Sequence, residues 1–141
     1  MKIVVGVDGS DPSRRAVEWC AAYAAALDAE VIVVHAIDLP VVVAPTAAMV
    51  PVVQFSPQNH EELEKIATED WSVPLAKASV PFRVVLRDCD PELGIMQVAR
   101  TQKADLVVTG RRGRGGFAEL LLGSTSNALS HHLGLPLLIV P

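Results

Sequence analysis

Leu-Val-Val-Thr at residues 106–109 leads directly into Gly-Arg-Arg-Gly at 110–113, and nine residues later the chain reads Gly-Ser-Thr-Ser at 123–126. The apolar run predicts a buried strand, and the second motif precedes a helical pattern. Glycines let backbone N–H groups approach an anion closely, and the N-terminus of a helix carries partial positive charge. We therefore predict that this stretch binds the phosphates of a nucleotide. A surface turn that binds no ligand is the alternative interpretation of the loop alone.

The spacing differs from that of two common phosphate-binding motifs. There is no Gly-x-x-x-x-Gly-Lys-Ser/Thr, so no lysine is placed to reach a β- or γ-phosphate, and Ala118 stands where Gly-x-Gly-x-x-Gly from Gly113 would need its third glycine. The pattern Gly-x2-Gly-x9-Gly-Ser resembles instead the nucleotide loop of the universal stress protein (UspA-like) family, in its ATP-binding branch. The resemblance extends to Ala-Asp-Leu at 104–106 and to the closing run 135–140.

Composition limits the classes of protein that this chain can represent. With 141 residues and a mass of 15.0 kDa, it is predicted to form one domain over residues 1–141. Half of the residues are hydrophobic but only 4% are aromatic, as suits a parallel sheet packed against alanine-rich helices. The net charge of −4 argues against general affinity for nucleic acid or anionic membranes. The Arg-Gly-rich run 112–116 is a single copy without interleaved aromatics, which disfavours RNA binding.

The sequence also predicts a cytoplasmic location. The first apolar run is interrupted at Asp8, unlike a signal peptide, and Pro45 and Pro51 break the longest apolar stretch. Two cysteines, Cys20 and Cys89, do not make a disulfide framework, and Cys89 lacks the histidine signature of a nucleophile.

Strand-like and helical patterns alternate along the chain. The predicted strands cover 2–7, 30–37, 82–87, 104–109 and 137–140, and the predicted helices cover 12–28, 60–79, a segment starting at Asp90, and 124–133. This order predicts an α/β fold, a doubly wound parallel sheet with helices on both faces. The family resemblance implies the strand order 3-2-1-4-5 of an adenine nucleotide alpha hydrolase-like fold.

Helical spacing predicts which side chains face the core. The expected inward set includes Leu27, Ile66 and Leu93. Pro74 is expected to kink or end the second helix. The segment 38–59 contains four prolines and no clear periodicity, and we expect it to fold over the ligand or a neighbouring subunit.

The predicted ligand site lies where the winding of the sheet reverses, beyond the carboxyl ends of strands one and four. Asp8 follows strand one and by resemblance lies next to the ribose and base, although Asp-Gly is also a common turn. The resemblance implies that backbone groups of Ala36 recognise the adenine edge, whereas His35 is expected to find a local partner. The full predicted set is Asp8, Gly9, Ser10, Ala36, Thr109, Gly110, Arg112, Gly113, Arg114, Gly123, Ser124, Thr125 and Ser126. Of the neighbouring arginines, at most one is expected to bind phosphate directly.

The expected ligand is ATP with Mg²⁺ or Mn²⁺ held mainly by the phosphates, without a protein metal site. His131 and His132 are adjacent and point about 100° apart on a helix, so they do not form a metal pair. No general base is evident, so we predict nucleotide sensing or signalling in a stress response, with slow ATP hydrolysis or autophosphorylation at most. The alternative is a dimeric interaction module of the same fold that binds no nucleotide. An apolar edge strand at 137–140 predicts a homodimer.

Overall fold

The computed structural model describes residues 1–37, 57–113 and 122–141, with residues 57–59 described by their backbone alone. Most of the proline-containing segment predicted to fold over the ligand lies outside these ranges, and so does Arg114. Within the described ranges, no helix is both long and apolar enough to span a membrane.

Among the described residues, five parallel strands form one sheet. They are β1 (Lys2–Gly6), β2 (Glu30–Ala36), β3 (Phe82–Arg87), β4 (Leu106–Gly110) and β5 (Leu137–Val140). The order across the sheet is β3-β2-β1-β4-β5, which confirms the predicted fold class and strand order. The valine-rich β1 and β2 lie inside the sheet and are almost fully buried, because helices cover both of its faces.

The helices are α1 (Asp11–Tyr23), α2 (Pro57–Ile66), α3 (Val73–Lys77), α4 (Pro91–Thr101) and α5 (Ser124–His132). A π-helical turn, Ala67–Trp71, joins α2 to α3. The prediction of one helix over 60–79 that Pro74 kinks or ends is therefore wrong in detail. Pro74 does not bend a continuous helix but stands in the first turn of α3, where a missing N–H costs no helical bond.

Two apolar clusters cover the two faces of the sheet. Alternate residues of β1 divide between them, with Ile3 and Val5 in the first cluster and Val4 in the second. The first cluster includes residues of α1 and α3 and the π turn, and the second includes residues of α4 and α5.

Three side chains predicted to face inward are exposed instead: Leu27 by 43%, Ile66 by 37% and Leu93 by 43%. Leu27 does not face the core because α1 ends at Tyr23, so the helical spacing that predicted its orientation does not extend to it. Ile66 is the last residue of α2, where the π turn changes the helical period. Leu93 lies on the side of α4 opposite to the buried Ile95, since two residues along a helix rotate the side chain by about 200°.

Candidate functional site

The loop between β1 and α1 holds Asp8 in a defined position. Oδ1 of Asp8 accepts hydrogen bonds from the backbone N–H of Ser10 at 3.0 Å and from its hydroxyl at 2.5 Å. Gly9, between them, has a φ of 78°, a conformation that favours glycine. Ser10 is also the N-cap of α1, because its Oγ accepts from the N–H of Ser13 at 3.4 Å. The turn that starts α1 therefore also fixes the carboxylate.

Glycines at the end of β4 bring a second loop against this turn. A Cβ at Gly110 would lie 2.5 Å from the carbonyl carbon of Pro12, so only glycine lets β4 approach the first turn of α1 this closely. A Cβ at Gly113 would lie 2.4 Å from Oδ2 of Asp8. Gly113 thus lies directly beside the carboxylate, and the predicted meeting of the two loops is observed.

Gly123 closes the second loop. Its N–H donates to the carbonyl of Arg111 at 2.8 Å, and a Cβ at this position would lie 3.1 Å from Cα of Arg112. The N–H of Arg111 donates to the carbonyl of Val140 at 2.7 Å. We call residues 110–113 together with Gly123 the glycine loop. Its backbone is held by β5 on one side and by the start of α5 on the other.

Ser126 contributes to the same closure. Its side chain is 2% exposed, and its hydroxyl lies 2.9 Å from the carbonyl of Arg111 and 3.1 Å from that of Gly123. Ser126 belongs to the predicted ligand-binding set, but the structure places its hydroxyl among carbonyl groups of the glycine loop. Ser124 is exposed and Thr125 is half-buried, so their side chains remain accessible.

The N-terminus of α5 supplies positive potential at this edge of the sheet. Gly123 is its N-cap, with a φ of −72° and a ψ of 164°, and no side chain of the described residues caps it. N–H groups of the first turn have no acceptor within the helix, which makes such an end suited to an anion. Arg111 is exposed and Arg112 half-buried in the adjoining loop. The site thus joins a carboxylate acceptor at Asp8 to a cationic, N–H-rich region.

The other predicted site residues lie nearby on the central strands. Thr109, at the end of β4, is 6% exposed. Ala36 ends β2 two residues beyond Val34, which pairs with Gly6 of β1, so Ala36 lies level with Asp8 along the sheet. Of the predicted set, Arg114 lies outside the described residues.

Two residues beside the site were not predicted to belong to it. Pro12 forms the surface against which Gly110 packs, and His35 binds the β1–α1 loop through Nδ1, which lies 2.8 Å from the carbonyl oxygen of Val7. The second contact confirms that His35 finds a local partner. Neither contact could be predicted from a local sequence pattern, because each joins residues from different elements.

Neither cysteine is prepared for nucleophilic chemistry. Burial raises the pKa of the Cys20 thiol to about 12. Burial also raises the pKa of Cys89, with a further increase from Asp90. Both groups are therefore predominantly protonated at neutral pH.

Comparison with known proteins agrees with the fold and the motif. The model of the universal stress protein family matches residues 1–141, and the chain belongs to that family. A universal stress protein of Thermus aquaticus is 34% identical, over 98% of this chain and 96% of its own length. One from Methanocaldococcus jannaschii is 29% identical, over 99% of this chain and 81% of its own length. Other relatives are longer, and the chain spans 47% of one from Mycolicibacterium smegmatis.

One similar solved structure contains a bound nucleotide. It is a universal stress protein in complex with cAMP, 26% identical to this chain, with a TM-score of 0.72 and coverage of 99% of this chain and 95% of that one.

Proposed function

We propose that this chain binds an adenine nucleotide, ATP with Mg²⁺ or Mn²⁺, beyond the carboxyl ends of β1 and β4. The observation that carries the proposal is the contact between Gly113 and Asp8, where a Cβ would lie 2.4 Å from the carboxylate. The absence of a Cβ at Gly113 lets the carboxylate and the glycine loop, which belong to different elements, approach each other this closely. The cAMP complex of the 26% identical relative supports an adenine nucleotide as the ligand.

The geometry suggests a division of roles along the ligand. Asp8 would accept hydrogen bonds from ribose hydroxyls, since an ionised carboxylate is a strong acceptor. Backbone N–H groups of the glycine loop and the first turn of α5 would bind the phosphates, with the hydroxyls of Ser124 and Thr125 as further donors. Arg112 and Arg114 are the candidate cationic contacts, and backbone groups of Ala36 would contact adenine.

Sensing fits the described residues better than fast catalysis. Asp8 is held as an acceptor by two hydrogen bonds from Ser10, which places it to bind hydroxyls. The hydroxyl of Ser126, by contrast, is used in hydrogen bonds to the carbonyls of Arg111 and Gly123 inside the glycine loop. We therefore propose a role in signalling the nucleotide state during stress, with little or no ATP hydrolysis.

A homodimer through β5 is part of this proposal. β5 pairs with β4 through one edge, and no other strand of the described residues pairs with its second edge, which we propose pairs with a strand of a second copy. Ile139 is the one residue of β5 that belongs to neither apolar cluster of the described residues. An Ile139→Asp substitution is expected to shift sedimentation toward monomer while circular dichroism shows a folded chain. An unchanged dimer would place the interface elsewhere.

The nucleotide content of the purified protein is the decisive measurement. Denaturing the protein and identifying the released compounds is expected to yield ATP or ADP near one per subunit. The content should fall in Gly113→Ala and Ser124→Ala and persist in Gly134→Ala, because a Cβ at Gly134 meets nothing within 4 Å. A protein that is isolated empty and takes up no ATP with Mg²⁺ would favour the interaction module without nucleotide.

A further inference from the structure

We propose that His35 is a positioning residue, whose hydrogen bond to the carbonyl of Val7 sets the place of Asp8 against Gly113. The effect on ligand binding rests on the proposed function, whereas the effect on the loop does not. His35 itself would touch no nucleotide.

The hydrogen bond lies at the point where β1 gives way to the Asp8 turn. The Nδ1 of His35 lies 2.8 Å from the carbonyl oxygen of Val7, and the side chain is 9% exposed. A carbonyl oxygen only accepts, so Nδ1 must carry the hydrogen. The N–H of Val7 donates to the carbonyl of Val34 at 2.9 Å. Both backbone polar groups of Val7 are therefore bound to β2, one through backbone and one through a side chain.

Asp8 is the next residue, and its carboxylate has little space in which to move toward Gly113. Gly113 leaves no room for even a methyl group beside Oδ2 of Asp8. The carbonyl of Val7 and the N–H of Asp8 belong to the same peptide unit, so a displacement of that carbonyl also displaces Asp8. The imidazole of His35 therefore influences the position of the carboxylate without contacting the ligand side of the turn. Ser10 and Ser13 hold the same turn from the α1 side, with the Asp8 N–H 3.4 Å from Oγ of Ser13.

The π turn fixes the imidazole ring. Trp71, the last residue of that turn, is 5% exposed, and its ring centroid lies 5.0 Å from that of His35 with the planes at 73°. This edge-to-face arrangement is a favourable one for aromatic rings. The turn is closed by Ser72, whose N–H and hydroxyl donate to the carbonyl of Ala67 at 3.0 and 2.7 Å. A π turn inside a helix is uncommon and often accompanies a functional site.

The test compares two amides at position 35. The amide nitrogen of an asparagine reaches about where Nδ1 of histidine lies, whereas that of a glutamine extends one bond further. His35→Asn is therefore expected to retain the bond to Val7, and His35→Gln and His35→Leu to lose it. Val33→Ala is the matched control, because Val33 lies two residues earlier on the same face of β2 and is fully buried.

Two readouts separate positioning from stability. The first is hydrogen exchange of the backbone over 7–10 in the protein without nucleotide, and the second is ATP affinity with Mg²⁺. In His35→Leu and His35→Gln we expect about tenfold faster exchange and about tenfold weaker binding, in line with the cost of misplacing a binding group. His35→Asn should approach the wild type in both. Val33→Ala should lower the melting temperature and leave both readouts near wild-type values.

The outcomes that overturn the proposal are distinct from those that overturn nucleotide binding. If His35→Asn behaves like His35→Gln, or if both match Val33→Ala, His35 is only a core residue. If the wild type takes up no ATP, the proposed function fails, and the exchange measurement alone decides whether His35 holds the Asp8 turn.

Discussion

Replacing Gly113 with alanine is the sharpest perturbation that the site allows. The added Cβ would lie 2.4 Å from Oδ2 and 3.5 Å from Cγ of Asp8. A real Cβ contact is essentially never shorter than 3.0 Å, so the glycine loop and the carboxylate must separate by about 0.6 Å. Since a misplacement of 1 Å can cost about 100-fold, we expect at least about tenfold weaker ATP binding, or about 1.4 kcal/mol.

Isothermal titration with ATP and Mg²⁺ measures this loss, and urea unfolding measures stability in the same variants. Gly113 is exposed, so its substitution should change the free energy of unfolding by less than about 1 kcal/mol. Gly134→Ala is the matched control, because its Cβ would have nothing within 4 Å. It is expected to retain affinity and to gain up to about 1 kcal/mol of stability, through lower entropy of the unfolded chain.

Undiminished affinity in Gly113→Ala would refute the reasoning, because it would mean that the separation of Asp8 and Gly113 does not matter to the ligand. Equal losses in Gly113→Ala and Gly134→Ala would do the same, since they would point to a general effect of losing glycine.

Three further predictions concern the loops and the core. Gly110→Ala should lower the free energy of unfolding by about 2–4 kcal/mol in a urea titration. The added Cβ would lie 2.5 Å from the backbone of Pro12, so β4 or the first turn of α1 must shift. A loss below about 1 kcal/mol would mean that the two elements separate easily. Ser126→Ala should cost about 0.5–1.5 kcal/mol in the same assay, because the hydroxyl's hydrogen bonding to the carbonyls of Arg111 and Gly123 is lost while both carbonyls keep a backbone donor. Its effect on ATP affinity should be smaller than that of Gly113→Ala. Burial raises the pKa of Cys20 from 9.0 to about 12, so above pH 9 the unfolded chain ionises first and stability falls by up to about 1.4 kcal/mol per pH unit. Cys20→Ala should reduce the loss of stability between pH 8 and 10, and an unchanged loss would assign it to other groups.

Most of the fold was predictable because each strand carries its own signal. The β-branched runs of β1 and β2 are buried on both faces and need no alternation with polar residues, so they are recognised from composition alone. The predicted strand boundaries differ from the observed ones by at most two residues. The spacing of glycines in the glycine loop also identified the family and the edge of the sheet where the loop lies.

The largest error in the helices falls where the helical period changes. The helix predicted over 60–79 is interrupted by a π turn, and a π turn depends on packing around Trp71 and on the bonds from Ser72 to Ala67. A sequence pattern read at a constant 3.6 residues per turn cannot register the added residue. The exposure of Ile66 follows from the same break, whereas Leu27 and Leu93 depend on where α1 ends and how α4 is rotated.

The sequence by itself determined the order of the elements, the aliphatic core and the loop suited to phosphate, because these depend on residues close together in the chain. The tertiary structure decided that Gly113 lies beside Asp8, that His35 holds the carbonyl of Val7, and that the Ser126 hydroxyl is used inside the glycine loop. Each of these contacts joins separate elements, and their distances depend on how the helices pack on the sheet. That packing cannot be predicted from local sequence patterns.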